Sequence, residues 1–177
     1  DDVVTLEKLG VLFRQTGRFP EAQIVIARAR RIEPESVRLG YQAGMLAFMI
    51  GDHPQAEKEF EEALRRDPRH VDTLVSMGLL QYARNCPDRG REMLERAEEA
   101  APKDYRGPLH LGLMAMRTGE KERAKACLLR ALTLHPFDRG SVQRVLYVSR
   151  DEGWGDLAAE AEAQLGVLPE EGGDADV

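Results

Sequence analysis

Only two of the 177 residues are cysteine, Cys86 and Cys127, and no CxxC spacing links them. Neither a disulfide framework nor a zinc site is indicated. Aromatic residues make up 6% of the chain, and no apolar run approaches the ~18 residues of a membrane span, so direct membrane insertion is not expected. The net charge is −6 with both signs interleaved, which suggests neither a nucleic-acid nor an anionic-membrane surface. Arginine outnumbers lysine twenty to five, a bias read as compositional before it is read as phosphate recognition. No HExxH, P-loop or GxSxG motif occurs, and His53, His70, His110 and His135 are scattered. No enzyme, catalytic residue, metal site or cofactor is therefore expected. With 42% hydrophobic residues the chain has enough apolar material to fold rather than remain disordered. These features leave the compartment open, with the cytoplasm favoured over the periplasm. A chain opening on Asp1 rather than Met is expected to be trimmed.

What is present is periodic. Pro34, Pro68, Pro102 and Pro136 stand 34 residues apart, as do Gly10, Gly44, Gly78 and Gly112, and again Ala29, Ala63, Ala97 and Ala131. Such a comb implies stacked structural units, each burying its apolar face on its neighbours. Within each period the apolar spacing is that of two amphipathic helices. Gly17, Gly51, Asn85, Gly119 and Gly153 mark the break between the halves, because Gly and Asn most readily take the left-handed conformation that closes a helix. Proline stops each second helix. A mid-helix Gly costs about 1 kcal/mol against Ala, so its recurrence at one phase predicts close helix–helix approach. Ala22, Ala56, Gly90 and Ala124 are expected on the facing helix.

The first repeat reads Leu6, Leu9-Gly10, Phe13, Ala22, Ile26, Ala29, Pro34, and the next three follow it in register to Pro136. This pattern resembles the tetratricopeptide repeat family over residues 3 to about 136. Gly40 and Pro108 depart from it at a large position, and Gln81 at an aromatic one. The resemblance implies an all-α fold, an α-α superhelix of four full repeats plus a degenerate C-terminal helical pair. The expected organisation is a single array over 1–166, with repeats at about 3–36, 37–70, 71–104 and 105–138 and the degenerate pair at 139–166. Trp154 is expected to pack at the last turn, and the acidic, Gly-rich tail 167–177 to be disordered.

The two helices of a period differ. Second helices carry charges such as Glu57, Glu59, Glu61 and Glu62, expected to form a solvated outer face. First helices are apolar nearly all round, with Gln42, then Ser76 and Gln81, then His110 as exceptions within their central runs. A helix apolar on every side must be covered on every side. In the tetratricopeptide family the first helices line a concave groove, and the groove positions here are Tyr41, Met45, Phe48, Met49, Val75, Leu79, Tyr82, Leu109, Leu113, Met116 and Tyr147. Such a Met- and Tyr-bearing trough suits apolar or amphipathic segments. Arg14, Arg38, Arg106, Arg117 and Arg150 would form its rim. The carboxylate clamp of some family members is missing, since its positions hold Glu7 and Val11, Tyr41 and Met45, Val75 and Leu79.

The expected function is a non-enzymatic protein–protein interaction scaffold that binds an apolar or amphipathic segment of a partner protein. One alternative is a homo-oligomeric structural scaffold; residues 88–96 are similar to a repeat of a magnetosome-associated family member with that role. Another is a chaperone or adaptor for secretion or cell-envelope assembly. RNA binding is disfavoured, because the groove has no basic stripe.

Overall fold

The computed structural model describes residues 2–134 and 138–167. Among them are ten α-helices and no strand: α1 (Val3–Gln15), α2 (Phe19–Ile32), α3 (Val37–Ile50), α4 (His53–Arg66), α5 (Val71–Ala83), α6 (Pro87–Ala100), α7 (Arg106–Arg117), α8 (Lys121–Thr133), α9 (Arg139–Asp151) and α10 (Gly155–Val167). Packing divides the chain into two compact units, Asp1–Ala100 and Ala101–Val177.

Each break within a repeat closes in the same way. Gly17, Gly51, Asn85, Gly119 and Gly153 all have positive φ, between 62° and 89°. The residue after each donates its backbone N–H five residues back, as in Asp52 to Ala47 at 2.9 Å and Cys86 to Gln81 at 2.9 Å. This six-to-one bond is the Schellman closure, which satisfies carbonyls that a helix end otherwise leaves bare. Helix starts are closed by side chains where the sequence supplies them. Asp52 accepts from the Gln55 N–H at 3.1 Å, and Asp138 accepts from the Ser141 N–H at 2.8 Å. Pro34, Pro68 and Pro102 lie in the turns after α2, α4 and α6. Pro136 falls outside the described residues.

In the first unit α1, α3 and α5 are neighbours, and each pairs with the helix that follows it. The glycine comb sets how closely the members of a pair approach. A Cβ placed on Gly10 would sit 2.8 Å from Ile26, on Gly44 2.5 Å from the Phe60 ring, and on Gly78 2.8 Å from Leu94. Ile26, Phe60 and Leu94 are therefore buried with one side directly over a glycine. Ala22, Ala29, Ala56, Ala63, Gly90 and Ala97 are buried at the positions expected for small residues.

The second unit repeats this arrangement once and then departs from it. Gly112 faces Leu128, with only 2.7 Å available for a Cβ. In the last pair Leu146 stands at the glycine phase and Glu162 at the Leu128 phase, and Glu162 points outward to Arg150 at 2.7 Å. A side chain at the contact point holds the helices further apart, so the opposing residue need not be apolar. The core of this unit joins Leu109, Leu128, Leu132, Val142, Val145 and Leu157, with Trp154 packed against it at the α9–α10 turn. Helix α10 extends through Val167, the first residue of the expected tail; the rest of the tail falls outside the described residues.

Candidate functional site

The apolar residues of α3 and α5 that are not consumed by the core make the candidate surface of the first unit. Tyr41, Met45 and Phe48 are half-buried against a core of Ala47, Ala56, Phe60, Met77 and Leu80. The Tyr41 ring stacks on Phe60 with centroids 6.3 Å apart and lies 5.7 Å from His70. Phe48 lies 5.7 Å from the His53 ring. Met49 is 45% exposed, and Leu79 and Tyr82 keep part of their surface accessible. Helical spacing accounts for this set: positions 41, 45, 48 and 49 of α3 share one face, as do 75, 79 and 82 of α5.

Two residues expected in the groove are interior. Val75 is 5% exposed and Leu109 2%. They share one repeat phase with Glu7, which is also buried, and with Tyr41. The phase is a seam between packed helices, where Val and Leu end inside and the longer Tyr41 reaches outward. In the second unit Leu113 and Met116 are half-buried, and Tyr147 is 73% exposed beside Leu146 and Arg150.

The rim arginines have partners within the chain. Arg38 forms an ion pair with Glu7, and Arg150 with Glu162. Arg106 grips Asp104 with two nitrogens, at 3.0 and 2.6 Å. Arg117 is exposed. Arg14 differs, since it donates to the Met49 sulfur at 3.4 Å while its Nε is buried with no hydrogen-bond partner. It is the rim cation that lies against the apolar stripe.

The outer face departs from the expectation of solvated charge. Glu59 is 8% exposed and accepts from Arg30 at 2.9 Å and from Gln55 at 2.8 Å. Glu57 accepts from Gln81 at 2.7 Å and from Arg84. Burial works to raise the Glu57 carboxyl, but these hydrogen bonds and the charges of Arg84 and Arg89 outweigh it and hold the group below the usual carboxylate range. Sequence reasoning missed both because they lie on opposite flanks of α4, where Arg30 of the preceding pair covers Glu59 and Gln81 and Arg84 of the following pair meet Glu57.

A polar group surrounds the start of α7. The Tyr105 hydroxyl donates to Asp138 at 2.6 Å, and burial together with that carboxylate pushes the phenol up to about 12. His110 is pushed down to about 4 by burial first and then by the charges of Arg144 and Arg106, against Asp104 and Asp138. These contacts tie α7 to the cap of α9 and present no convergent reactive set. Among the described residues no group of three or more His, Cys, Asp or Glu could hold a metal ion. No helix among them is long and apolar enough to cross a membrane. Neither Cys86 nor Cys127 forms a disulfide.

Comparison with solved structures gives the same architecture. A Pseudomonas aeruginosa PilF structure superposes with a TM-score of 0.78 at 18% identity, covering 96% of this chain and 78% of that one. A thermophilic TPR protein of Thermus thermophilus gives 0.78 at 19% identity, with 93% and 90% covered. MamA of Desulfovibrio magneticus RS-1 gives 0.68 at 21% identity, with 94% of each chain covered. No curated protein matches the chain at a significant level. The tetratricopeptide repeat model matches residues 7–71, 41–85 and 75–139. With the glycine contacts, the Schellman turns and this match in register, the chain belongs to the tetratricopeptide repeat family.

Proposed function

We propose that this protein is a non-enzymatic interaction scaffold that holds an apolar or amphipathic segment of another protein on the α3–α5 face of its first unit. The observation that carries the reading is the partly exposed set Tyr41, Met45, Phe48, Met49, Leu79 and Tyr82 on two adjacent first helices. Monomeric proteins seldom leave such residues contiguous without a use for them. Methionine and tyrosine adapt to varied apolar partners at modest entropic cost. Arg14, whose guanidinium rests on the Met49 sulfur at the edge of the stripe, favours a segment whose apolar residues are followed by an acidic one.

The test is calorimetric titration with amphipathic peptides enriched by display against the full chain. Tyr41→Ala and Leu79→Asp should each weaken binding by about tenfold or more, the range expected for a central apolar contact. Wild-type affinity in both variants would exclude this face.

A second reading, self-assembly, is favoured by the apolar residues on α1, where Val4 and Leu12 are exposed. Light scattering over a concentration series separates the two, since a strict monomer leaves only the first.

A further inference from the structure

Side chains of α4, α5 and α6 enclose a second cleft of about 340 Å³ on the second-helix side of the first unit, away from the Tyr41–Tyr82 stripe. Its floor is Met77 and Gln81 of α5, and Leu64 and Met93 stand on its two walls. A cleft of the same construction lies one repeat earlier, with Arg30 in place of Leu64, Ala47 in place of Gln81 and Glu59 in place of Met93. There the polar groups serve one another, because Arg30 and Gln55 both donate to Glu59.

In the later cleft that internal pairing is gone. The wall positions are apolar, and the floor carries an unmet need. Gln81 is 1% exposed, its Nε2 donates to Glu57 at 2.7 Å, and its Oε1 has no hydrogen-bond partner. Glu57 can only accept, so the amide orientation is settled and a bare acceptor remains in the cleft floor. Buried acceptors are nearly always paired, which points to a donor from outside. Arg65, Arg89 and Arg96 stand on the rim with Glu61, and Arg65 is already paired with Glu62. Arg89 lies 3.6 Å from Glu57, beyond direct hydrogen-bond distance, and Arg96 donates to the uncharged Pro68 carbonyl at 3.4 Å and the Met93 sulfur at 3.6 Å. Both guanidiniums keep donors for an incoming anion.

We propose that this cleft is a second docking site, for a peptide segment of another protein in which an apolar side chain stands beside carboxylates. The apolar group enters between Leu64, Met77 and Met93, a peptide N–H reaches Gln81 Oε1, and a carboxylate meets Arg89 and Arg96. A simple organic acid satisfies the arginines but brings no N–H to Gln81, and this is why the geometry selects a peptide.

The methionines make the test direct, because Met93 lines this cleft and the exposed Met49 lies on the stripe, with Met77 and Met45 in one core between them. The full chain, with ¹³C-labelled methionine methyls, is titrated with acetyl-Glu-Leu-Glu-amide. The Met77 and Met93 methyls should shift and that of Met49 stay. Acetyl-Gln-Leu-Gln-amide should bind at least about tenfold more weakly, as should the acidic peptide to Arg89→Ser/Arg96→Ser protein of unchanged circular dichroism. Absence of a Met77 and Met93 shift, an equal response to the glutamine peptide, or full binding by the double variant overturns the proposal. So does an equal response to isovalerate, which would make the cleft a small-acid site. Shifts that depend on protein concentration without peptide would assign it to a second copy and equally refute a peptide ligand.

Discussion

Gly40 and Gly44 are one turn apart in α3, both buried, and the same substitution should move stability in opposite directions at the two. Alanine in a helix interior is favoured over glycine by about 1 kcal/mol. At Gly40 a new Cβ would meet the Ala63 methyl at 3.6 Å, an ordinary contact, so Gly40→Ala should stabilise by close to that full amount. At Gly44 the Cβ would lie 2.5 Å from two atoms of the Phe60 ring, roughly 1 Å inside the usual carbon–carbon separation. Phe60 is fully buried and stacked on Tyr41, so the ring cannot swing into solvent and α3 must move away from α4. Overpacking of this severity costs about 3 kcal/mol, and the helical gain recovers about 1, leaving Gly44→Ala about 2 kcal/mol less stable. For a chain of this size the pair should melt ~3 °C above and ~6 °C below wild type respectively. Circular dichroism during thermal and urea unfolding reads both. Adding Phe60→Leu to Gly44→Ala should lose less than the sum of the single changes, because the clash they share is relieved. If Gly44→Ala melts at or above wild type, or Gly40→Ala falls with it, the account of the glycine comb as a packing device is wrong.

Two further outcomes follow from local chemistry. His110 is held down to about 4 in the folded chain against an ordinary value of 6.5, so the unfolded state binds the extra proton first. Its contribution is intact above pH 6.5 and is lost as pH falls towards 4; at ~1.4 kcal/mol per pH unit the loss is about 3 kcal/mol. His110→Gln should remove that part of the acid sensitivity, and superimposable stability–pH curves for the two proteins would refute the burial argument. Asn85 is the single non-glycine among the left-handed turn residues, at φ 62°. Asn85→Gly should add up to about 1 kcal/mol of stability, read as a slightly higher urea midpoint, and a lower midpoint would show that the Asn side chain matters more than its backbone angle.

Much of the architecture was legible because repetition turns single residues into statistics. One glycine in a helix says little, whereas Gly10, Gly44, Gly78 and Gly112 at one phase announce a contact point, and Ile26, Phe60, Leu94 and Leu128 answer it from the facing helices. The turn residues were equally readable, since positive φ is a local demand that Gly and Asn meet without help from the rest of the fold. Tyr41, Met45, Phe48 and Met49 were placed by what the family resemblance implies for first helices, and helical spacing sets them on one face.

Burial across the seam between repeats was not legible in this way. Val75, Leu109 and Glu7 occupy the phase of Tyr41, and side-chain length against neighbouring helices decides which of them reaches the surface. The sinking of Glu59 beneath Arg30, and the orphaned carbonyl of Gln81, whose amide nitrogen donates to Glu57 and Met77, depend on spacing between helices that no linear pattern records. The sequence by itself determined the repeat, its turns and its close contacts, because those depend on backbone angles and on the size of one residue. Tertiary structure decided which surfaces remain open and which polar groups remain unpaired, because both depend on what neighbouring helices bring against them.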